Sequence, residues 1–315
     1  MSVPLYKKAV LNYDFVGANN RSNYFEGWYL KCALKDKTIA LIPSLHVEKG
    51  LMTGHLQWIV SQGDRLFSGS QSYSNEETIL SSNPFYLRLG ENSFSETGFN
   101  VNEENLIISA QFQEITPYPK NIMGPFSIFK NLPCIHGLQA IDGRVDFTTE
   151  NPFFNGSFSS SFYCEKDRGT TFPERYIWLH SDFSKEKASI FFTIALIPLG
   201  PIKFDGYIAN LNIDGVNETF TTYDFSQVLI SQNSKGQELI SISNRKKAIE
   251  ITLTQGKVES LISPREGSMV DTVEESMDSK IEMMVTDKRT GEVKNFKSNR
   301  CSYEISGWFK PNPKS

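Results

Sequence analysis

The hexapeptide Thr-Ile-Ala-Leu-Ile-Pro stands at residues 38–43 and again at 193–198. Each copy follows a glutamate and a strand of interleaved aromatics. The first is preceded by Tyr24-Phe25-Glu26-Gly27-Trp28-Tyr29-Leu30-Lys31-Cys32, the second by Phe172-Pro173-Glu174-Arg175-Tyr176-Ile177-Trp178-Leu179-His180. Identity joined to a shared preceding pattern is the mark of an internal duplication. The chain therefore reads as two homologous β-rich halves, residues 1–160 and 161–315.

Strand signals fill both halves. Short apolar or alternating segments are separated by turn chemistry at Lys35-Asp36-Lys37, Ile141-Asp142-Gly143-Arg144 and Ile213-Asp214-Gly215-Val216. Residues 207–223 read as two strands around Asp214-Gly215, and residues 280–296 as two more around Lys288-Arg289-Thr290-Gly291. No long stretch has helical periodicity. The expectation is an all-β chain, a sandwich or an up-and-down antiparallel barrel in each half. Residues 116–137 break the rhythm with Pro117, Pro119, Pro125 and Pro133 among Tyr118, Phe126 and Phe129. That much proline excludes a central strand. The segment is either a functional loop or a flap over a sheet edge. The join between the halves is read near residues 151–161, where Asn-Pro, Asn-Gly and a serine run cluster.

Composition narrows the function classes. With 12% aromatic and 22% charged residues the chain is a packed globular protein. A formal net charge of −4 gives no reason to expect nucleic acid as a partner. The first residues hold Lys7 and Lys8 with no apolar run behind them, and Ile190 to Leu199 is too short to span a bilayer. Cys32, Cys134, Cys164 and Cys301 lack metal or redox spacing. The expectation is a cytoplasmic protein with reduced thiols.

Phosphate loops, nucleophile elbows and zinc-binding helices are missing, and His46, His55, His136 and His180 form no close ligand pair. The chain calls for no cofactor and no metal. The chemistry-bearing candidates lie on the two repeated strands. Period two puts Tyr24, Glu26, Trp28, Leu30, Cys32 and Leu34 on one face. If that face points into a barrel, desolvation raises the Glu26 pKa and makes it a general acid. If Glu26 sits at the strand mouth instead, it bonds backbone or an arginine. On the second strand Glu174, Tyr176, Trp178, His180 and Asp182 share a face, which either lines a pocket or lies outside a core of Ile177, Leu179 and Phe183. Glu165-Lys166-Asp167-Arg168-Gly169 reads as a compact charged turn.

The blocks Asn23-Tyr24-Phe25-Glu26-Gly27-Trp28-Tyr29 and Tyr163-Cys164-Glu165-Lys166-Asp167-Arg168-Gly169 through Trp178 resemble the signature blocks of the tocopherol cyclase family, with a weaker echo in Ser306-Gly307-Trp308-Phe309. Arg168 stands where that family often has tryptophan. The resemblance implies two tandem lipocalin-like antiparallel β-barrel or half-barrel domains and a lipophilic, prenylated-quinol or isoprenoid ligand. It also implies cofactor-independent ring closure, in which an acid protonates an alkene and a phenol oxygen traps the cation. In that setting Glu26 and Glu174 are the candidate acids. Tyr24, Trp28, Tyr29 and Trp58 are candidate substrate contacts in the first half, with His136 from its proline-rich loop. Tyr176, Trp178 and His180 are the candidates in the second. The alternatives are a non-catalytic carrier of lipids or isoprenoids, and barrels filled by their own side chains. The hydrophobic small molecule is the expected partner, with room for peripheral membrane contact; the sequence leaves the oligomeric state undetermined.

Overall fold

Short alternating segments joined by tight turns leave the backbone only one way to satisfy its polar groups, by pairing in antiparallel sheets. The computed structural model describes residues 23–82, 84–118, 121–128, 132–183 and 186–309. The reading of residues 1–13 therefore lies outside the described residues. In the first half the strands are β1 (Asn23–Ala33), β2 (Lys37–Glu48), β3 (Leu51–Gln62), β4 (Arg65–Tyr73), β5 (Thr78–Ser82), β6 (Phe85–Leu89), β7 (Asn92–Ser95), β8 (Gly98–Glu103), β9 (Leu106–Pro117), β10 (Cys134–Glu150) and β11 (Asn155–Gly169). In the second they are β12 (Tyr176–Phe183), β13 (Ala188–Leu199), β14 (Ile202–Ile213), β15 (Val216–Thr221), β16 (Gln227–Gln232), β17 (Glu238–Ser243), β18 (Lys247–Thr254), β19 (Val258–Arg265), β20 (Ser268–Asp287) and β21 (Val293–Ser306).

The duplication is written in the topology. The first sheet runs β4-β3-β2-β1-β11-β10-β9-β8-β7-β6-β5, and the second β15-β14-β13-β12-β21-β20-β18-β17-β16, with β19 on β20. In each, the strand carrying the hexapeptide lies between a hairpin partner and the strand of interleaved aromatics, which in turn pairs with the long last strand. The register differs between the copies. Thr38 faces Ala33, whereas Thr193 faces Trp178. Glu26 and Glu174 therefore do not occupy equivalent places: the hexapeptide begins beside the turn in β2 but farther from it in β13, and Glu26 lies within β1 whereas Glu174 precedes β12. The expected turn at Asp142-Gly143 is instead a run of register shifts inside β10, where the ladders to β9 and β11 continue past it.

The chain divides into two compact units. Of the described residues, those between 23 and 123, 133 and 172, and 262 and 271 form unit 1, and those between 124 and 132, 173 and 261, and 272 and 309 form unit 2. Within the proline-rich segment, a 3-10 helix (Gly124–Ile128) groups with unit 2, where Phe126 packs 5.7 Å from Phe204 and 6.2 Å from Tyr223. Phe129 and Pro119 lie outside the described residues.

In unit 1 the ends of the sheet approach each other. A Cβ at Gly54 on β3 would meet Leu89 at 2.3 Å and Thr78 at 2.8 Å, so only glycine lets β3 close against β5 and β6. The Tyr73 hydroxyl donates to Glu103 and accepts from Asn92 at 2.7 Å, tying β4 to the far end of the sheet. The face turned inward carries Trp28, Leu30, Cys32, Leu41, Leu56, Trp58, Phe94, Phe112 and Phe162 among its core. The other face of β2 and β3 is polar yet buried: Ser44 bonds the His46 ring at 2.8 Å, and His55 bonds Ser72 at 3.0 Å. Residues 262–271 lie against this face. The Gln57 amide exchanges two bonds with the Ile262 backbone, at 2.7 and 2.9 Å. Gly267, at a φ of 84°, sits where a Cβ would be 2.5 Å from the Tyr24 nitrogen.

Replacing Gly54 with valine is expected to cost about 1–3 kcal/mol, read as a lower urea midpoint; an unchanged midpoint would mean the seam has room. The imidazoles give a second prediction. Burial pushes His46 down to about 3, helped by the nearby His55, and His55 down to about 4. Unfolded rings take up protons below about 6.5 while these do not, so stability is intact above that pH and is lost as pH falls toward 4. The loss reaches about 2.7 kcal/mol per pH unit for two rings. Denaturation of the wild type and the His46→Gln, His55→Gln double variant between pH 7 and 5 checks this. The wild type should lose stability more steeply, and equal slopes would refute the assignment.

Candidate functional site

The charged run after Tyr163 is not a turn. It is the end of β11, held on one side by β1 and on the other by β10. Trp28 faces Lys166, Glu26 faces Arg168, and His136 faces Asp167. Period two then sorts the charges between two faces of one sheet. Lys166 and Arg168 point with Glu26 toward the core, while Tyr163, Glu165 and Asp167 point the other way with His136 and Tyr29.

On the inner face Glu26 is fully buried and ion-paired with Lys166. The Tyr24 hydroxyl donates to Glu26 at 3.2 Å, and the Lys166 ammonium stands 4.8 Å from the centre of the Trp28 ring. Burial pushes the Glu26 carboxyl up, while Lys166, Arg168 and Tyr24 pull it back. Trp28 packs at 5.3 Å on Phe85, so these groups stand inside a wall of aromatic core rather than at a strand mouth.

The outer face carries a different constellation. The His136 Nδ1 lies 2.9 Å from Asp167, and its Nε2 lies 3.6 Å from Glu165. The Tyr163 hydroxyl donates to Glu165, and the Tyr29 ring lies 6.4 Å from the Tyr163 ring. Cys134 donates from Sγ to Asp167 at 3.6 Å. Burial opposes charge on the imidazole, but Asp167 and Glu165 outweigh it and raise His136 to about 9. At neutral pH the ring is an imidazolium. Burial, then the Glu165 charge, keeps the Tyr163 hydroxyl protonated. The donor atoms of His136, Glu165 and Asp167 lie within 4.8 Å of one another, the one such metal-capable group among the described residues.

Access separates the two faces. The side chains of His136 and Asp167 keep 12% and 27% of their surface and that of Glu165 keeps 6%, against 0% for Glu26 and 5% for Lys166.

The structure thus brings Tyr24, Glu26 and Trp28 together, and puts Tyr29 and His136 on the opposite face of the same sheet. Trp58 is a core residue, its ring lying where a Cβ at Gly69 would come within 2.2 Å. The second-half candidates belong to unit 2. Glu174 is exposed and holds Lys203 at 2.9 Å. Tyr176 donates to Glu304 at 2.9 Å. Trp178 and His180 are buried on the face away from the core of Ile177, Leu179 and Phe183, the second of the two arrangements the sequence left open. Sequence reasoning missed Tyr163, Glu165, Lys166 and Asp167 as site residues. Their signal is strict alternation of charge behind a run of small residues and aromatics, which a turn does not require and a strand does.

No family model matches the chain, and no curated protein matches it in sequence. Solved structures do match in shape. A protein named AttH from Nitrosomonas europaea has a TM-score of 0.57 at 9% identity, over 90% of this chain and 93% of that one. CghA in complex with Sch210972 gives 0.59 at 8% identity, over 90% and 89%. Kievitone hydratase from Nectria haematococca gives 0.55 at 9% identity, over 95% and 94%. Identities this low carry the fold alone, and the fold they establish for this chain is the lipocalin-like double barrel.

Proposed function

We propose that the protein is an acid–base enzyme that protonates a carbon–carbon double bond of a lipophilic small molecule, in the cyclase and hydratase class. The observation that carries this reading is the His136 imidazolium clamped between Asp167 and Glu165, with the Tyr163 hydroxyl on Glu165. Passing the Nε2 proton to Glu165 leaves a neutral ring and a carboxylic acid. That acid gives its proton to the alkene, whose π pair forms the new C–H bond and leaves a tertiary cation. Water, or a phenol oxygen within the substrate, supplies the electron pair that traps the cation. The oxygen then releases its proton to the Glu165 carboxylate, which returns it to Nε2 of the ring, so the cluster ends as it began.

Three further features support the reading. The Tyr29 and Tyr163 rings offer faces to a passing cation. Asp167 holds the imidazole in one orientation, as a second carboxylate does in other acid–base pairs. A hydratase and a protein solved with a bound small molecule share the fold. The likeness of the two sequence blocks to tocopherol cyclases makes a prenylated quinol the first substrate to try. We place the acid here rather than at Glu26 or Glu174. Glu26 is ion-paired inside the core and Glu174 is exposed and bound to Lys203, so neither is a desolvated acid within reach of a ligand.

Incubation with geranylgeranyl hydroquinone in D2O tests this, because cyclisation and hydration each leave one non-exchangeable deuterium on carbon. The wild type should incorporate it, with the rate falling as pH rises through about 9 and His136 loses its proton. His136→Gln and Glu165→Gln should each lose about 10²–10⁴-fold. Undiminished binding with no deuterium in any form would indicate a carrier and overturn the enzymatic reading. Glu26→Gln should behave differently. It leaves the Lys166 charge buried without its partner, at a cost of about 3–5 kcal/mol in urea unfolding, with labelling per folded molecule retained. Loss of labelling in a Glu26→Gln protein shown to be folded would return the acid to the inner face.

A further inference from the structure

Unit 2 has a cavity of its own, lined from β14, β15, β18, β20 and β21 and by no residue of β12, which carries Tyr176 and Trp178. It has a volume of about 280 Å3 and opens beside the Asp214-Gly215 turn between β14 and β15. Its floor is apolar core, Leu211 and Val285, and Ile213 and Val216 carry that apolar surface outward to the mouth. Val216 is 63% exposed, and Val293, which pairs with Thr286 at the end of β20, is 47% exposed. Water therefore meets an apolar lining that leads into the core rather than a single stray side chain.

The rim is charged and unbalanced. Asp214, Glu218, Asp287 and Glu292 face it with only Lys247 and Lys294 to match. Glu218 is taken by Lys247, which links β15 to β18, strands that are not neighbours in the sheet. Glu292 is taken by Lys294 at 3.7 Å. Asp287 accepts from the Arg289 and Thr290 backbone nitrogens at 2.8 and 3.2 Å, so capping its own turn, and pairs with the Arg289 guanidinium at 3.4 Å. Among the described residues the Asp214 carboxylate has no hydrogen bond or ion pair, only its backbone nitrogen donating to Lys187.

We propose that this cavity is a second ligand site, separate from the His136 cluster, and that it takes a small amphipathic amine. The hydrocarbon part lies against Leu211, Ile213 and Val285, and the ammonium pairs with Asp214. Barrel mouths with an apolar lining and a few polar groups at one end are a recurrent place for such ligands. The sign of the rim selects a cation: Glu218, Asp287 and Glu292 are matched by Lys247, Arg289 and Lys294, and an anion entering here meets the uncompensated Asp214 carboxylate.

Fluorescence titration with monodansylcadaverine, a dansyl group on an alkyl amine, tests the proposal, with dansyl-6-aminohexanoate as the anionic control. The wild type should bind the amine saturably at one site and the anion about fivefold or more weakly. Asp214→Asn should cost about two- to fivefold in amine affinity, the worth of one exposed ion pair, and should erase the preference over the anion. Asparagine tolerates the φ of 51° that Asp214 adopts, so this variant folds as the parent does. Val216→Trp, at an exposed edge position, should block the mouth and abolish saturable binding. His136→Gln should bind as the wild type does, which keeps this result independent of the proton-transfer reading. Absence of saturable binding, equal binding of both probes, or binding untouched by Asp214→Asn and Val216→Trp would each overturn the proposal.

Discussion

A lysine ammonium cannot stand inside an apolar core without a counter-charge, and Lys166 stands there because Glu26 does. The pair fixes more than its own place. β1 and β11 are neighbours, and a slip of one residue between face and face would turn Glu165 and Asp167 into the core and expel Lys166 and Arg168. Burying two carboxylates against Glu26 would put like charges together with no cation among them. The inner pair therefore holds the outer face in register, and the His136 cluster exists because the core admits only one alignment of this strand.

The same alternation explains what could be read from the chain and what could not. The repeated hexapeptide and the aromatic strands before it identify two copies of one plan, and the copies occupy matching places in the two sheets. The hairpin turns at Asp214-Gly215 and Lys288-Gly291 are equally plain, because glycine at positive φ marks them. That Glu26 and Glu174 stand in different places was not legible. It depends on register, and register depends on how far a hairpin extends beyond the repeat, which the repeat itself does not encode. The run Glu165 to Arg168 misled for a related reason. Four successive charges suggest solvent until pairing on both sides assigns every second one to the core.

His136 shows the limit from another side. Nothing near it in sequence announces a partner, since Asp167 and Glu165 arrive from the next strand across the sheet. Residues 116–137 read as one irregular loop with His136 in it, yet His136 stands on β10, which begins at Cys134. The Gly169 backbone, at a φ of 153° and with the Pro133 carbonyl 2.0 Å from where a Cβ would be, brings that ladder close to the end of β11. A site assembled this way has no motif in one dimension; its signal is two polar residues in separate strands whose registers happen to meet.

The two faces also differ in what a proton can do on them. An acid used once per turnover must be recharged, so it needs a route to solvent or to the trapped product as well as a raised pKa. Glu26 has the raised pKa without the route: it is fully buried, and giving up its charge would strand Lys166. His136 has both. Its proton is retained at neutral pH by two carboxylates, and its ring and the carboxylate of its partner Asp167 keep part of their surface. Transfer from Nε2 to Glu165 moves charge within a cluster whose total is unchanged, so the low dielectric around it penalises the step little. The inner pair is suited to hold charge still and the outer cluster to let it move, and one strand of alternating residues supplies both.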